Sequence, residues 1–192
     1  MQFSKIGFTP KLIICDLDGT LVDSASDIQY ALNGALNEMG LESVTEYDVR
    51  RWVGRGASRL VSCVLDSKHY RKELHDDLLA VFMRHYQNSV CQSSQLYQGV
   101  AEFIAACQQA HIPLACVTNK PYAPAKDLLA ALNILQPFQL LIGGDTLPHK
   151  KPHPEPLLHC LRYFEVSAKD ALVLGDSSND IEAAFAAHIP CV

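Results

Sequence analysis

Leu12-Ile13-Ile14-Cys15 is an unbroken apolar run that ends at Asp16. So short a run, with no polar alternation, is the pattern of a strand buried on both faces, as strands of a parallel sheet are. From Gly99 onward, similar runs alternate with amphipathic stretches. Val100, Phe103, Ile104 and Cys107 mark a helix face, and residues 113–117 read as a strand. A helix at 124–132, a strand at 139–142, a helix at 154–164, a strand at 171–174 and a helix at 178–187 follow, and residues 189–192 begin another strand. This order predicts a doubly wound α/β fold with right-handed crossovers.

The stretch after the first strand breaks the rhythm. Ile28, Ala31, Leu32, Ala35, Leu36 and Met39 recur at helical spacing until Gly40, and residues 57–65 and 74–86 read as further helices. Some 70 residues are too many for a plain connection, so residues 23–93 are expected to form an inserted helical cap. Residues 1–22 and 94–192 then make the core, a division that suits a 192-residue chain. Its last strand has barely started at Val192, so a C-terminal strand and helix are expected to be missing.

Charge and cysteine usage narrow the function. A net charge of -5 without a basic stripe speaks against non-specific nucleic-acid binding. No stretch has the length of a membrane span. Seven dispersed cysteines without a CxxC pair fit neither a disulfide framework nor a zinc site, and suggest a reducing cytoplasm. Monomer and homodimer are both compatible with the sequence.

In an open parallel sheet, ligands bind beyond the carboxyl ends of the strands, so polar residues after apolar runs carry the chemistry. There are four such places. In Asp16-Leu17-Asp18-Gly19-Thr20, one carboxylate can attack phosphorus while the other serves as acid and base. A plain polar turn is the alternative; a calcium loop fails because Gly19 falls at its fourth position and Asp27 at its twelfth. Thr118-Asn119 can bind phosphoryl oxygens, or cap the helix that follows. Lys151, after Lys150 and before Pro152, can neutralise nucleophile and phosphate, or be one of a surface pair. Gly175-Asp176-Ser177-Ser178-Asn179-Asp180 can place Asp176 beside Asp16 around a magnesium ion, which prefers oxygen ligands. Asp180 is a further ligand, a supporting residue, or a first-turn acid favoured by the helix dipole. His149 and His153 read as loop residues.

Together these segments resemble the four motifs of the haloacid dehalogenase superfamily, from about Lys11 to Val192. Asp23-Ser24, Trp52-Val53-Gly54-Arg55-Gly56-Ala57, Thr118-Asn119-Lys120-Pro121, Ile142-Gly143-Gly144-Asp145 and Lys150-Lys151-Pro152-His153-Pro154 are similar to the bacterial phosphoglycolate phosphatases within it. The resemblance implies a Rossmann-type core, a helical cap and Mg2+-dependent hydrolysis of 2-phosphoglycolate, a small anionic phosphomonoester, to glycolate and phosphate. Asp16 would be nucleophile and metal ligand, and Asp18 the acid/base and a ligand through its backbone carbonyl. Thr118, Asn119 and Lys151 would hold the phosphoryl group, and Asp176 would complete the metal site. Arg55 and Gly56 would meet the substrate from the cap, with an exposed turn before the helix at Ala57 as the equal alternative. Gln98-Gly99 stands where many relatives have proline-glycine.

Three other readings share these residues. One is a phosphomutase, or a phosphatase for another sugar phosphate. A second is a receiver-like phospho-acceptor domain, against which the inserted helices and Asp18 both argue. The third is a non-catalytic scaffold with an inherited fold.

Overall fold

In the computed structural model, which describes residues 8–192, the run that ends at Asp16 is β1 (Leu12–Cys15), with all four residues buried. It lies inside a parallel four-stranded sheet of order β5-β4-β1-β6, formed with β4 (Leu114–Val117), β5 (Phe138–Ile142) and β6 (Ala171–Leu174). Beyond β6, Cys191 pairs in parallel with Val173, so residues 189–192 do lie alongside the sheet.

Burial on both faces follows from the two layers of helices. Ile13 and Cys15 point with Leu114 and Cys116 into a core built with α5 (Val100–Gln109) and α6 (Tyr122–Ala131). Leu12 and Ile14 point the other way with Ala115 and Val117, toward α7 (Glu155–Phe164) and α8 (Ser178–Ala186). Alternate residues of one strand thus feed opposite cores, which requires an apolar residue at every position. Helices change face at β1. That is a topological switch point, and it opens a crevice at the carboxyl end of the strand.

Between β1 and β4 the chain forms a second unit with its own core. It leaves through β2 (Val22–Asp23) and builds α1 (Ala25–Glu38), α2 (Glu46–Trp52), α3 (Ala57–Ser67) and α4 (His75–Gln87). It returns through β3 (Gln95–Leu96), which pairs antiparallel with β2. Ile28, Leu32, Leu36, Val49, Leu60, Val64, Leu78 and Phe82 meet in a buried cluster drawn from this inserted segment alone. Helix α2 was not anticipated. It buries only Val49, so it carries no apolar stripe, and its signal is the capping box of Thr45 and Asp48.

The two chain crossings are stapled together. Asp27 in α1 is 2% exposed and accepts from Ser93 N at 2.8 Å, Ser94 N at 2.8 Å and Ser94 Oγ at 2.5 Å. Hydrogen bonds to a charged acceptor contribute about 1.5–3 kcal/mol each, though not additively. Asp27→Ala is therefore expected to lower unfolding free energy by about 3 kcal/mol, read as a lower urea midpoint. A change under about 1 kcal/mol would mean that Ser93 and Ser94 find other acceptors.

The described residues contain no helix long and apolar enough to cross a membrane. All seven cysteines are free thiols.

Candidate active site

Strand register brings the candidate residues level. Cys15 pairs with Cys116 on one side and Leu174 on the other, and Val117 pairs with Ile142. The polar segments after β1, β4 and β6 therefore start side by side. Lys151 enters from the β5–α7 loop, where the Lys151–Pro152 peptide is cis.

Lys151 is the electrostatic centre. Its Nζ lies 2.8 Å from Asp16 Oδ1 and 2.5 Å from Asp180 Oδ1, and donates to Val117 O at 2.7 Å. The lysine is 3% exposed, which rules out the surface-pair alternative. Burial works against its charge, but Asp16 and Asp180 outweigh it and hold the ammonium above its ordinary value. Burial likewise pushes the Asp16 carboxyl up, to about 6, with Lys151 pulling the other way. Asp180, left open by the sequence, is fully buried and bonds Lys151 on one oxygen. Its other oxygen accepts from Ser177 N at 3.1 Å and Ser177 Oγ at 2.5 Å, completing the capping box of α8.

Asp16, Asp176 and Asp180 each present an oxygen within 4.8 Å of the others. Such an all-oxygen donor set suits a hard divalent cation. Asp176 accepts from Thr20 Oγ1 at 2.8 Å, and burial raises its carboxyl above the usual range while that bond opposes the shift. The close approach of the Asp176 carboxylate needs a glycine at 19: a Cβ there would stand 2.3 Å from Oδ2, and the φ of +91° also disfavours any other residue.

The Asp18 side chain turns elsewhere. Its Oδ1 accepts from Ser24 Oγ at 2.5 Å and from Lys120 Nζ at 2.6 Å. Lys120 is buried and sits over the Tyr86 ring of α4, 4.9 Å from its centroid. Burial opposes its charge, yet Asp18 and Tyr86 raise its pKa above the ordinary value. Sequence reasoning passed over this lysine, because its partners lie 102 and 34 positions away.

Thr118 is buried and its Oγ1 accepts from Lys120 N at 3.1 Å. It does not cap the next helix, which starts at Tyr122 after Pro121. Asn119 Nδ2 donates to Lys151 O at 2.9 Å and to Gly54 O at 3.0 Å, and Asn179 Nδ2 joins at Gly54 O at 3.1 Å. The loop after β4 and the first turn of α8 thus hold the α2–α3 loop over the strand ends. Gly144 packs against this junction, where a Cβ would approach Asn119 O to 2.4 Å.

A cleft lies beneath that loop, with Asp16, Asp18, Thr118, Asn119 and Lys120 on the sheet side. Gly54 and Gly56 line it from the α2–α3 loop, and Leu60, Phe82, Met83 and Tyr86 from the helices. Arg55 is exposed and is not among the lining residues.

The sequence profile described as haloacid dehalogenase-like hydrolase matches residues 13–192. The chain belongs to the haloacid dehalogenase-like hydrolases. Over 188 residues it is 40% identical to a phosphoglycolate phosphatase of Colwellia psychrerythraea, spanning 95% of this chain and 83% of that one. Identity is 38% over 186 residues to the phosphoglycolate phosphatase of Nitrosococcus oceani, with the same 95% and 83% coverage. Among solved structures, a predicted phosphoglycolate phosphatase from Haemophilus somnus 129PT superposes with a TM-score of 0.90 at 34% identity, covering 96% of this chain and 85% of that one. The doubly wound core expected from the sequence is therefore the fold of a hydrolase family.

Proposed function

We propose that this hydrolase is a magnesium-dependent phosphatase that converts 2-phosphoglycolate to glycolate and phosphate through a phospho-aspartyl intermediate. The observation that carries the reading is the convergence of Asp16, Thr118 and Lys151 at level strand ends, beside the carboxylate cluster and under the cleft. The substrate is suggested by the likeness to enzymes named phosphoglycolate phosphatase.

In this reading the Asp16 carboxylate attacks phosphorus and the ester P–O bond breaks. Asp18 gives its proton to the departing glycolate oxygen. Water then attacks the acyl phosphate, Asp18 takes up its proton, and phosphate leaves as Asp16 is restored. Lys151 offsets the charge of the phosphoryl group and of Asp16, and Thr118 with Asn119 orients the phosphoryl oxygens. Asp16, Asp176 and the Asp18 carbonyl would hold the metal, while Asp180 is committed to Lys151 and Ser177. Bound magnesium offsets the repulsion between a carboxylate nucleophile and a phosphate dianion. Helices α1–α4 serve as a cap that shields the cleft from water, and the seven free thiols suit a cytoplasmic location.

Phosphate release is to be measured with 2-phosphoglycolate, glucose 6-phosphate and an aryl phosphate, before and after chelation. Turnover of 2-phosphoglycolate should exceed that of the others at least about 10-fold, fall at least about 100-fold with EDTA and return with magnesium. Release from the other esters alone would discard the substrate, and release indifferent to chelation would discard the metal.

A further inference from the structure

The cleft contains one cation that the scheme above does not use. Among its lining residues the charged groups are Asp16, Asp18 and Lys120, and the helical wall is apolar except for the tyrosine hydroxyl of Tyr86. Lys151 is engaged below with Asp16, Asp180 and Val117 O, and neither Arg55 nor Lys150 lines the cleft. An ester whose phosphoryl group rests at Asp16 and Thr118 extends its remainder into this space. The positive charge on the lining itself is the Lys120 ammonium, while the Lys150 ammonium stands beside Gly56 without lining the cleft.

Lys120 is a costly residue to place there. Its side chain is 4% exposed, and a buried ammonium gives up its hydration even when it is paired. Asp18 does not depend on it for a partner, since the same Oδ1 already accepts from Ser24 Oγ. The Tyr86 ring, with its centroid 4.9 Å from Nζ, supplies a face that favours a cation whichever anion sits opposite. The site is thus built to keep a buried ammonium in place while its carboxylate partner changes.

Resting on the function proposed above, we infer that Lys120 determines specificity by binding the substrate's carboxylate. That carboxylate takes the place of Asp18 on Nζ. Asp18, still tethered by Ser24, is then released toward the ester oxygen, so the anionic tail of the correct substrate also frees the group that protonates the leaving oxygen. A phosphate ester without an anionic tail leaves the Lys120–Asp18 pair intact and gains neither contact nor release.

The test compares kcat/KM for 2-phosphoglycolate and for ethyl phosphate, in which a methyl group replaces the carboxylate, in wild type, Lys120→Met and Lys120→Arg. The ratio of the two cancels any common loss transmitted through Asp18. Wild type should prefer 2-phosphoglycolate, and Lys120→Met should cut that preference about 100-fold, the scale of losing one partner of a desolvated charge pair. Lys120→Arg should restore part of it. A wild-type preference that survives in Lys120→Met within about 3-fold would overturn the role of Lys120 and leave the substrate standing. Absence of any preference in wild type would instead remove the substrate reading, and this role with it. Should Lys120→Met not fold, the ratio for Lys120→Gln is read the same way.

Discussion

Asp16→Asn is expected to lower phosphate release by about 10^4-fold or more while the protein stays folded; removal of a nucleophile costs on the order of 10^6-fold in a well-studied hydrolase. An amide oxygen at the same place is a poor nucleophile toward phosphorus, and the neighbouring carboxylates are engaged elsewhere, Asp176 with Thr20 Oγ1. Asp180 is buried and engaged with Lys151 and Ser177, while Asp18 faces Ser24 and Lys120. Stability should move in the opposite direction. Asp16 and Asp180 now share one ammonium within a buried pocket, so the asparagine removes one of two mutually repelling carboxylates and leaves the Lys151–Asp180 pair whole. A melting temperature at or above that of wild type is therefore expected in metal-free buffer. Steady-state phosphate release and a thermal melt of the same preparation give both readings. Turnover within about 10-fold of wild type would remove Asp16 from the nucleophile's role.

What could be read from the sequence was what local pattern encodes. Strands buried on both faces need apolar residues at every position, so β1, β4 and β6 stood out, with ends within a residue of those observed. Carboxyl ends of such strands must carry the ligand, which is why Asp16, Thr118 and Asp176 could be picked out before their distances were known. Where pattern is absent the reading failed. Helix α2 buries a single residue, and the two-residue ladder between β2 and β3 is too short to show alternation. Lys120 shows the deeper limit. Its meaning lies in contacts with Asp18 and Tyr86, on elements that meet only after the helices have docked over the sheet. Asp180 was ambiguous because a capping acid and a lysine-binding acid look alike in sequence, and here one carboxylate does both. Arg55 drew attention through its glycine neighbours, yet the cleft takes Gly54 and Gly56 and leaves the arginine in solvent.

Lys151→Met is expected to cost both stability and chemistry, and the two losses can be separated. Methionine fills much of the same volume but leaves Asp16 and Asp180 facing each other without a cation and Val117 O without its donor. Breaking a buried pair from one side typically costs about 3–5 kcal/mol, because the remaining charge cannot be solvated. For a chain of this size that is a fall in melting temperature of about 10 °C. Turnover should fall about 10^3-fold, since in the proposed mechanism the removed group offsets charge on both the nucleophile and the transferred phosphoryl group. The double variant Lys151→Met/Asp180→Asn tells the causes apart. Its second substitution removes one stranded charge, and the amide oxygen it introduces can still accept from Ser177 at the start of α8, so much of the lost melting temperature should return. Turnover should not return, because no cation has been restored beside Asp16. If activity recovered together with stability, Lys151 would be a folding residue whose ammonium the reaction does not need. If neither recovered, the cost would lie in the lost bond to Val117 and the strain of a methionine in a pocket shaped for an ammonium, and not in the unpaired carboxylates.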